Sequence, residues 1–161
     1  MPIEAIPMSQ SRTKTTKLVM PPDTNHHGTI FGGQVLSYLD EISAIAAMKH
    51  AGAAVVTASI DSVDFVSPAR VGEVLEIEAV VCSTGRTSME VFVSVHSIDL
   101  LSNARKLTTE SFVTMVAMDE ENRPTPVAPV YPETKTEKAL FDKAPARRAN
   151  RKERMAIKDA N

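Results

Sequence analysis

Residues 23–41 read DTNHHGTIFGGQVLSYLDE. A polar loop with Asn25, His26 and His27 passes through the pair Gly32–Gly33 into a segment that carries Asp40 and Glu41. From Gly33 to about Ala51 the apolar residues take a helical period. Val35, Leu39, Ile42 and Ala46 follow one another at spacings of four, three and four, which makes one apolar stripe. Leu36, Ser43 and Ala47 widen it on one side. The stretch AGA at 51–53 ends the helix, with Gly52 as its cap. A helix apolar over so much of its circumference is expected to lie buried.

Outward from the helix, the sequence reads as strands. TKTTKLVM (13–20) is rich in Thr and is stopped by Pro21 and Pro22. Strand patterns follow at 55–65, 73–84, 87–98 and 107–119, and Val91, Val93 and Val95 share one face of the third. The gaps between them are short, which favours antiparallel neighbours in meander-like order. Residues 1–12 read as a flexible terminus. Residues 133–161 turn charged and poor in large apolar side chains, as in a peripheral helix or a partly disordered tail. One strand, a long helix and four more strands over 13–132 make an α+β hotdog domain, a helix wrapped by an antiparallel sheet. Its sheet edge is expected to pair across a dimer.

The composition narrows the function. The chain has 161 residues, 43% hydrophobic and 24% charged, which suits one globular domain. A net charge of −2 gives no global field to recruit nucleic acid or an anionic membrane. The exception is the basic stretch ARRANRKERMAIK near the C-terminus. The lone cysteine, Cys82, allows no intrachain disulfide and no Cys-based metal cluster, which suits the cytoplasm. The opening residues lack the continuous apolar stretch of a signal peptide, and no apolar run is long enough to span a bilayer.

The helix and its loop carry the candidate chemistry. With Leu39 at zero and about 100° per residue, Asp40 falls on the rim of the apolar stripe, near Leu36 and Ala47. Glu41 falls near 200°, on the solvent side. A half-buried Asp40 with a raised pKa fits a general base or nucleophile; it fits equally a carboxylate paired with a cation from the sheet. Gly32 and Gly33 let a ligand approach the backbone. The first N–H groups of the helix, up to Gln34, point outward with the positive dipole end and suit an oxyanion. A tight turn packed on a strand would use the same glycines. Asn25, His26 and His27 fit a turn. Adjacent histidines without further ligands at zinc spacing make a metal site unfavoured. His50 and His96 read as structural or exposed, and Cys82, Met89, Met115 and Met118 as core filling.

Together, NHHGTIFGG…LDE, VTASIDSVDF, PARVGE and GRTSMEV resemble the hotdog-fold acyl-CoA thioesterases, in the acyl-CoA hydrolase branch that includes bacterial cytosolic enzymes and brain-type acyl-CoA thioesterase. The resemblance spans about residues 13–130. It implies hydrolysis of an acyl-CoA thioester to the free acid and CoA, with no metal or organic cofactor. It implies Asp40 as the catalytic carboxylate and Asn25 as the asparagine that the partner subunit contributes. It also implies a homodimer or a trimer of dimers. On this reading Asp40 activates water or attacks directly, and the N–H groups around Gly32, Gly33 and Gln34 receive the oxyanion. Leu36, Ala47, Thr57 and Ser59 would line the acyl tunnel. Arg86, beside Thr87 and Ser88, is the first candidate for the CoA phosphates, ahead of Arg70 and the basic tail. Two rivals remain. A hotdog dehydratase would use His27 with Asp40 or Glu41, but its usual loop motif is absent. A non-catalytic acyl-CoA sensor would need a DNA-binding segment, for which the chain has little length to spare.

Overall fold

The structure, a computed structural model, describes residues 3–160. The apolar stripe forms α1, Gly32–Ala51, as its spacing predicts. Gly52 caps it at φ 63°, a left-handed conformation in which a Cβ would be strained. The strands are β1 (Ile6–Pro7), β2 (Thr13–Leu18), β3 (Ala54–Phe65), β4 (Val74–Thr84), β5 (Ser88–Ile98), β6 (Arg105–Met118) and β7 (Val130–Tyr131). Two further helices follow, α2 (Lys135–Asp142) and α3 (Ala144–Ala160).

Five strands form one antiparallel sheet in the order β2-β4-β5-β6-β3. This is the hotdog arrangement. β4, β5 and β6 are a meander, but β3 departs from the expected order: it pairs with β6 and not with β4. The eight residues 66–73 carry the chain from one edge of the sheet back across to β4. Strand spacing does not reveal such a non-local pairing. β3 is therefore an edge strand, and it exposes Val56, Ile60 and Phe65.

Alternation assigns the two faces of the sheet. Met89, Val91, Val93 and Val95 of β5 are fully buried with Val35, Leu39, Ile42 and Ala46 of α1. The opposite face carries Glu90 and Phe92, and α3 lies over it: the Arg147 guanidinium sits 4.2 Å from the centre of the Phe112 ring. Residues 144–160 are thus a helix on the sheet. Residues 6–11, expected as flexible, include β1, paired with β7, and a short 3-10 turn, Met8–Ser11, that buries Met8 completely. Burial of a large apolar side chain fixes this segment. α2 begins with a capping box: Glu137 N donates to Thr134 Oγ1 at 3.1 Å. The Glu137 carboxylate accepts from the backbone N–H groups of Glu133 and Thr134 and from Arg12 at 2.7 Å, which ties α2 to the residue before β2.

Candidate active site

Asp40 lies two turns inside α1. It is exposed in this chain, not half buried as its helical angle predicts. Its partner is no cation: Thr57 Oγ1 on β3 donates to Asp40 Oδ1 at 2.5 Å. One carboxylate oxygen is held by the sheet, and the other has no hydrogen-bond partner among the described residues. Glu41 is exposed, as expected. Ala47 is fully buried in the core, so it lines no tunnel, while Leu36 is half-buried against that core.

Thr57 and Ser59 do not share a face. β3 pairs Thr57 with Met115 and Ser59 with Thr114, so Ala58 is an extra residue in the ladder. Such a bulge reverses the alternation. Thr57 points to α1, whereas the Ser59 hydroxyl bonds the Asp61 carboxylate at 3.1 and 3.2 Å on the face beneath α3.

The loop before α1 is built around Asn25. Its Oδ1 accepts from His27 N at 2.9 Å, Thr29 N at 3.3 Å and Thr29 Oγ1 at 3.2 Å. These bonds leave the amide NH2 free of partners among the described residues and set its direction. Gly28 closes the turn at φ 75°, with its N–H on Asn25 O at 3.1 Å. The exposed rings of His26 and His27 lie with their centres 3.9 Å apart, tilted by 42°. Among the described residues, no group of three or more His, Cys, Asp or Glu side chains could hold a metal ion.

The backbone donors at the helix start divide. Gln34 N donates to Phe31 O at 3.1 Å and is used. The N–H groups of Gly32 and Gly33 have no acceptor among the described residues, so these two are available to an anion. Packing explains Gly32, where a Cβ would come 3.3 Å from the Phe65 ring. It does not explain Gly33, where a Cβ would meet open space.

Arg86 lies in the β4–β5 turn, exposed and without a side-chain partner among the described residues. Its carbonyl and that of Thr87 hold Val127 N and Ala117 N. Ser88 faces the α3 side, where it borders a small cavity with Glu90 and Arg148. Thr57 is therefore joined to Asp40, Ser59 and Ser88 lie on the opposite face, and Arg86 stands at the end of the sheet.

The most heavily paired charges lie on that opposite face. Arg147 binds Glu90 through Nε at 2.9 Å and Nη2 at 2.7 Å. Arg151 lies 3.7 Å from Asp61 and 3.9 Å from Glu90, and Arg154 bonds Asp61. Both acids are buried. The Cys82 thiol also reaches Glu90, and burial together with that carboxylate pushes its pKa up. The basic tail is thus committed to the sheet. Residues 147, 151 and 154 fall on one helical face, a spacing that reading the tail as a solvated charge run overlooks.

Residues 27–102 match the thioesterase superfamily. The uncharacterized acyl-CoA thioester hydrolase YkhA of Bacillus subtilis is 43% identical over 145 residues, 90% of this chain and 84% of that protein. The cytosolic acyl coenzyme A thioester hydrolase of Rattus norvegicus is 33% identical over 87% of this chain, which spans 37% of that longer protein. Among solved structures, an apo-hexameric acyl-CoA thioesterase is 62% identical with a TM-score of 0.94, covering 96% of this chain and 99% of the other. The acyl-CoA hydrolase of Staphylococcus aureus, solved with butyryl coenzyme A, coenzyme A and coenzyme A disulfide, is 46% identical with a TM-score of 0.93, covering 97% and 95%.

Proposed function

The chain belongs to the thioesterase superfamily and is an acyl-CoA thioester hydrolase, and from that premise we propose that Asp40 is its catalytic carboxylate and Asn25 acts on the partner subunit's Asp40. The observation that carries this reading is the open Asp40 carboxylate held by Thr57 at 2.5 Å. In three further Staphylococcus aureus structures an asparagine, an aspartate or a threonine is replaced by alanine. The replaced positions are separated by 15 and 17 residues, as are Asn25, Asp40 and Thr57 here.

Helix geometry supports a composite site. Asp40 follows Gly33 by seven residues, about 10 Å along the axis at 1.5 Å per residue. One thioester carbonyl does not reach both the base and the free N–H groups of the same helix. The loop that holds Asn25 and the N-terminus at Gly32 and Gly33 belong together. In a dimer joined near the exposed β3 edge, both face the Asp40 of the other copy. We place the oxyanion on Gly32 and Gly33, and not on Gln34, whose N–H is used.

The steps then follow from these groups. Asn25 orients the thioester or the attacking water. Asp40 removes a proton from that water as its oxygen bonds to the carbonyl carbon. The N–H donors stabilise the oxyanion, where one such donor is worth about 2.7–4 kcal/mol. The C–S bond breaks, the sulfur takes the proton held by Asp40, and the acid and CoA leave. Water, a base and two dipoles suffice, so the reaction proceeds without a cofactor. The hexameric relative fits a trimer of dimers for this chain. The free, buried Cys82 suits a cytoplasmic setting. A thiol-release assay from acetyl- to palmitoyl-CoA tests the activity. Thiol release from no chain length would overturn it. If a single turnover in ¹⁸O-labelled water leaves label in the Asp40 carboxylate, the carboxylate attacks directly.

A further inference from the structure

β3 carries Thr57 to Asp40 only because the extra residue in the ladder is Ala58. Side chains along a strand have a period of two, so a bulge moved by one position turns Thr57 to the opposite face. Among the described residues β3 has a single neighbour, β6, to hold that register. A second irregularity follows between Asp61 and Asp64, and Ser62 within it adopts φ 52°, unusual for a residue other than glycine. The short run Ser59–Asp61 between the two irregularities is therefore the part that fixes where the first bulge falls.

Asp61 fastens this run. Its carboxylate accepts from Ser59 Oγ at 3.1 and 3.2 Å and from Thr114 Oγ1, the cross-strand partner of Ser59, at 3.4 Å. Its carbonyl accepts from Ser111 Oγ on β6 at 3.3 Å. From α3, Arg154 bonds the carboxylate and Arg151 lies 3.7 Å away. The carboxylate is buried, so both arginines and both hydroxyls are needed to hold the charge there.

We propose that Asp61, clamped by Arg151 and Arg154 of α3, is a positioning residue for thioester hydrolysis: it locks the bulge at Ala58 and so keeps the Thr57 hydroxyl on the Asp40 carboxylate. The inference rests on the reading of Asp40 as the catalytic carboxylate. Asp61 touches no substrate and acts through four residues of backbone. α3 thereby becomes part of the catalytic machinery from the far side of the sheet.

A double-mutant cycle tests this, with kcat and KM measured for wild type, Thr57→Ala, Asp61→Asn and the double variant. Asp61→Asn is expected to lower kcat about tenfold with KM changed by less than about twofold, the size of losing one bond to a charged group. In the Thr57→Ala background the same change is expected to lower kcat by less than about twofold, because the bond that it supports is already gone. Losses that multiply in the double variant, or a wild-type kcat in Asp61→Asn, would overturn the proposal. If Asp61→Asn does not fold, Arg154→Met takes its place. Arg154 is half exposed at the helix surface, and its loss leaves the core intact. A kcat loss that vanishes in the Thr57→Ala background supports the proposal, and one equal in both backgrounds refutes it. Asp40→Asn separates the two layers: if it keeps wild-type kcat, the catalytic reading fails and this inference with it. If Asp40→Asn is inactive while Asp61→Asn is wild type, only this inference fails.

Discussion

Thr57 on β3 donates its hydroxyl to the Asp40 carboxylate on α1 at 2.5 Å, and this contact joins the edge strand of the sheet to the middle of the helix. A bond to a charged group is worth about 1.5–3 kcal/mol, so Thr57→Val is expected to lower kcat roughly 10- to 100-fold. Thr57→Ser keeps the hydroxyl and should retain most of the rate. Equal rates for the valine and serine variants would separate Thr57 from the chemistry.

Gly33 provides a test of the oxyanion position. A Cβ there meets nothing within 4 Å among the described residues, so Gly33→Ala should fold and gain about 0.4–1 kcal/mol through the less flexible unfolded state. The methyl group would nevertheless occupy the approach to a free helix N–H, and activity should fall by about tenfold or more. A more stable, fully active Gly33→Ala would remove this N–H from the site.

The Arg86 side chain has no partner among the described residues, which leaves its guanidinium available to a phosphate. Arg86→Ala is expected to raise KM for CoA esters by about 1.5–3 kcal/mol in binding terms, and to leave a short thioester without the nucleotide unaffected. Equal effects on the two substrates would place Arg86 outside the CoA site.

The sequence and the structure agree where the signal is local. Val35, Leu39, Ile42 and Ala46 announce α1 by their spacing, and all four are buried. Gly52 ends the helix as its cap. The alternation of Val91, Val93 and Val95 identifies the core face of β5. Disagreement begins where contacts are distant. Nothing in VVTASID marks Ala58 as a bulge, since it carries no glycine, and so Thr57 and Ser59 were expected on one face. The pairing of β3 with β6 joins residues far apart in sequence, such as Val55 and Ala117. The exposure of Asp40 depends on what covers it, and a helical angle describes only the helix. Glu90 and Asp61 did leave a trace: each is an acid on a strand beside apolar residues, which calls for a cation, and the arginines of α3 supply it.

His50 makes stability depend on pH. Burial holds its imidazole below its usual pKa, only partly offset by the bond from Nε2 to Ala128 O at 2.7 Å. Nδ1 is buried without a partner among the described residues, so a proton there would go unmatched. The unfolded chain takes up that proton near pH 6.5, and the folded protein only at lower pH. The folded form is thus favoured fully above about pH 6.5, and this share of its stability is lost as the pH falls from there through the depressed value. His50→Gln retains a donor for Ala128 O and removes the titration. Its melting temperature should fall less than that of wild type between about pH 7.5 and pH 5.5. Parallel curves for the two proteins would contradict the assignment.

The proposed active site is built from two copies of the chain, with Asp40 from one and Asn25 from the other. Asp40→Asn keeps the side-chain shape and should fold and assemble normally, with kcat reduced about 10²- to 10⁴-fold. Asn25→Ala should also be nearly inactive. The decisive measurement is thiol release after the two inactive variants are dissociated, mixed and reassembled. If Asn25 acts across the interface, each mixed dimer has one site with both lesions and one with neither. Activity should then return to about one quarter of wild type, since half of the dimers are mixed and half of their sites are intact. If both residues serve the same copy's site, every site keeps one lesion; a mixture as inactive as its components would rule out a site shared between two copies.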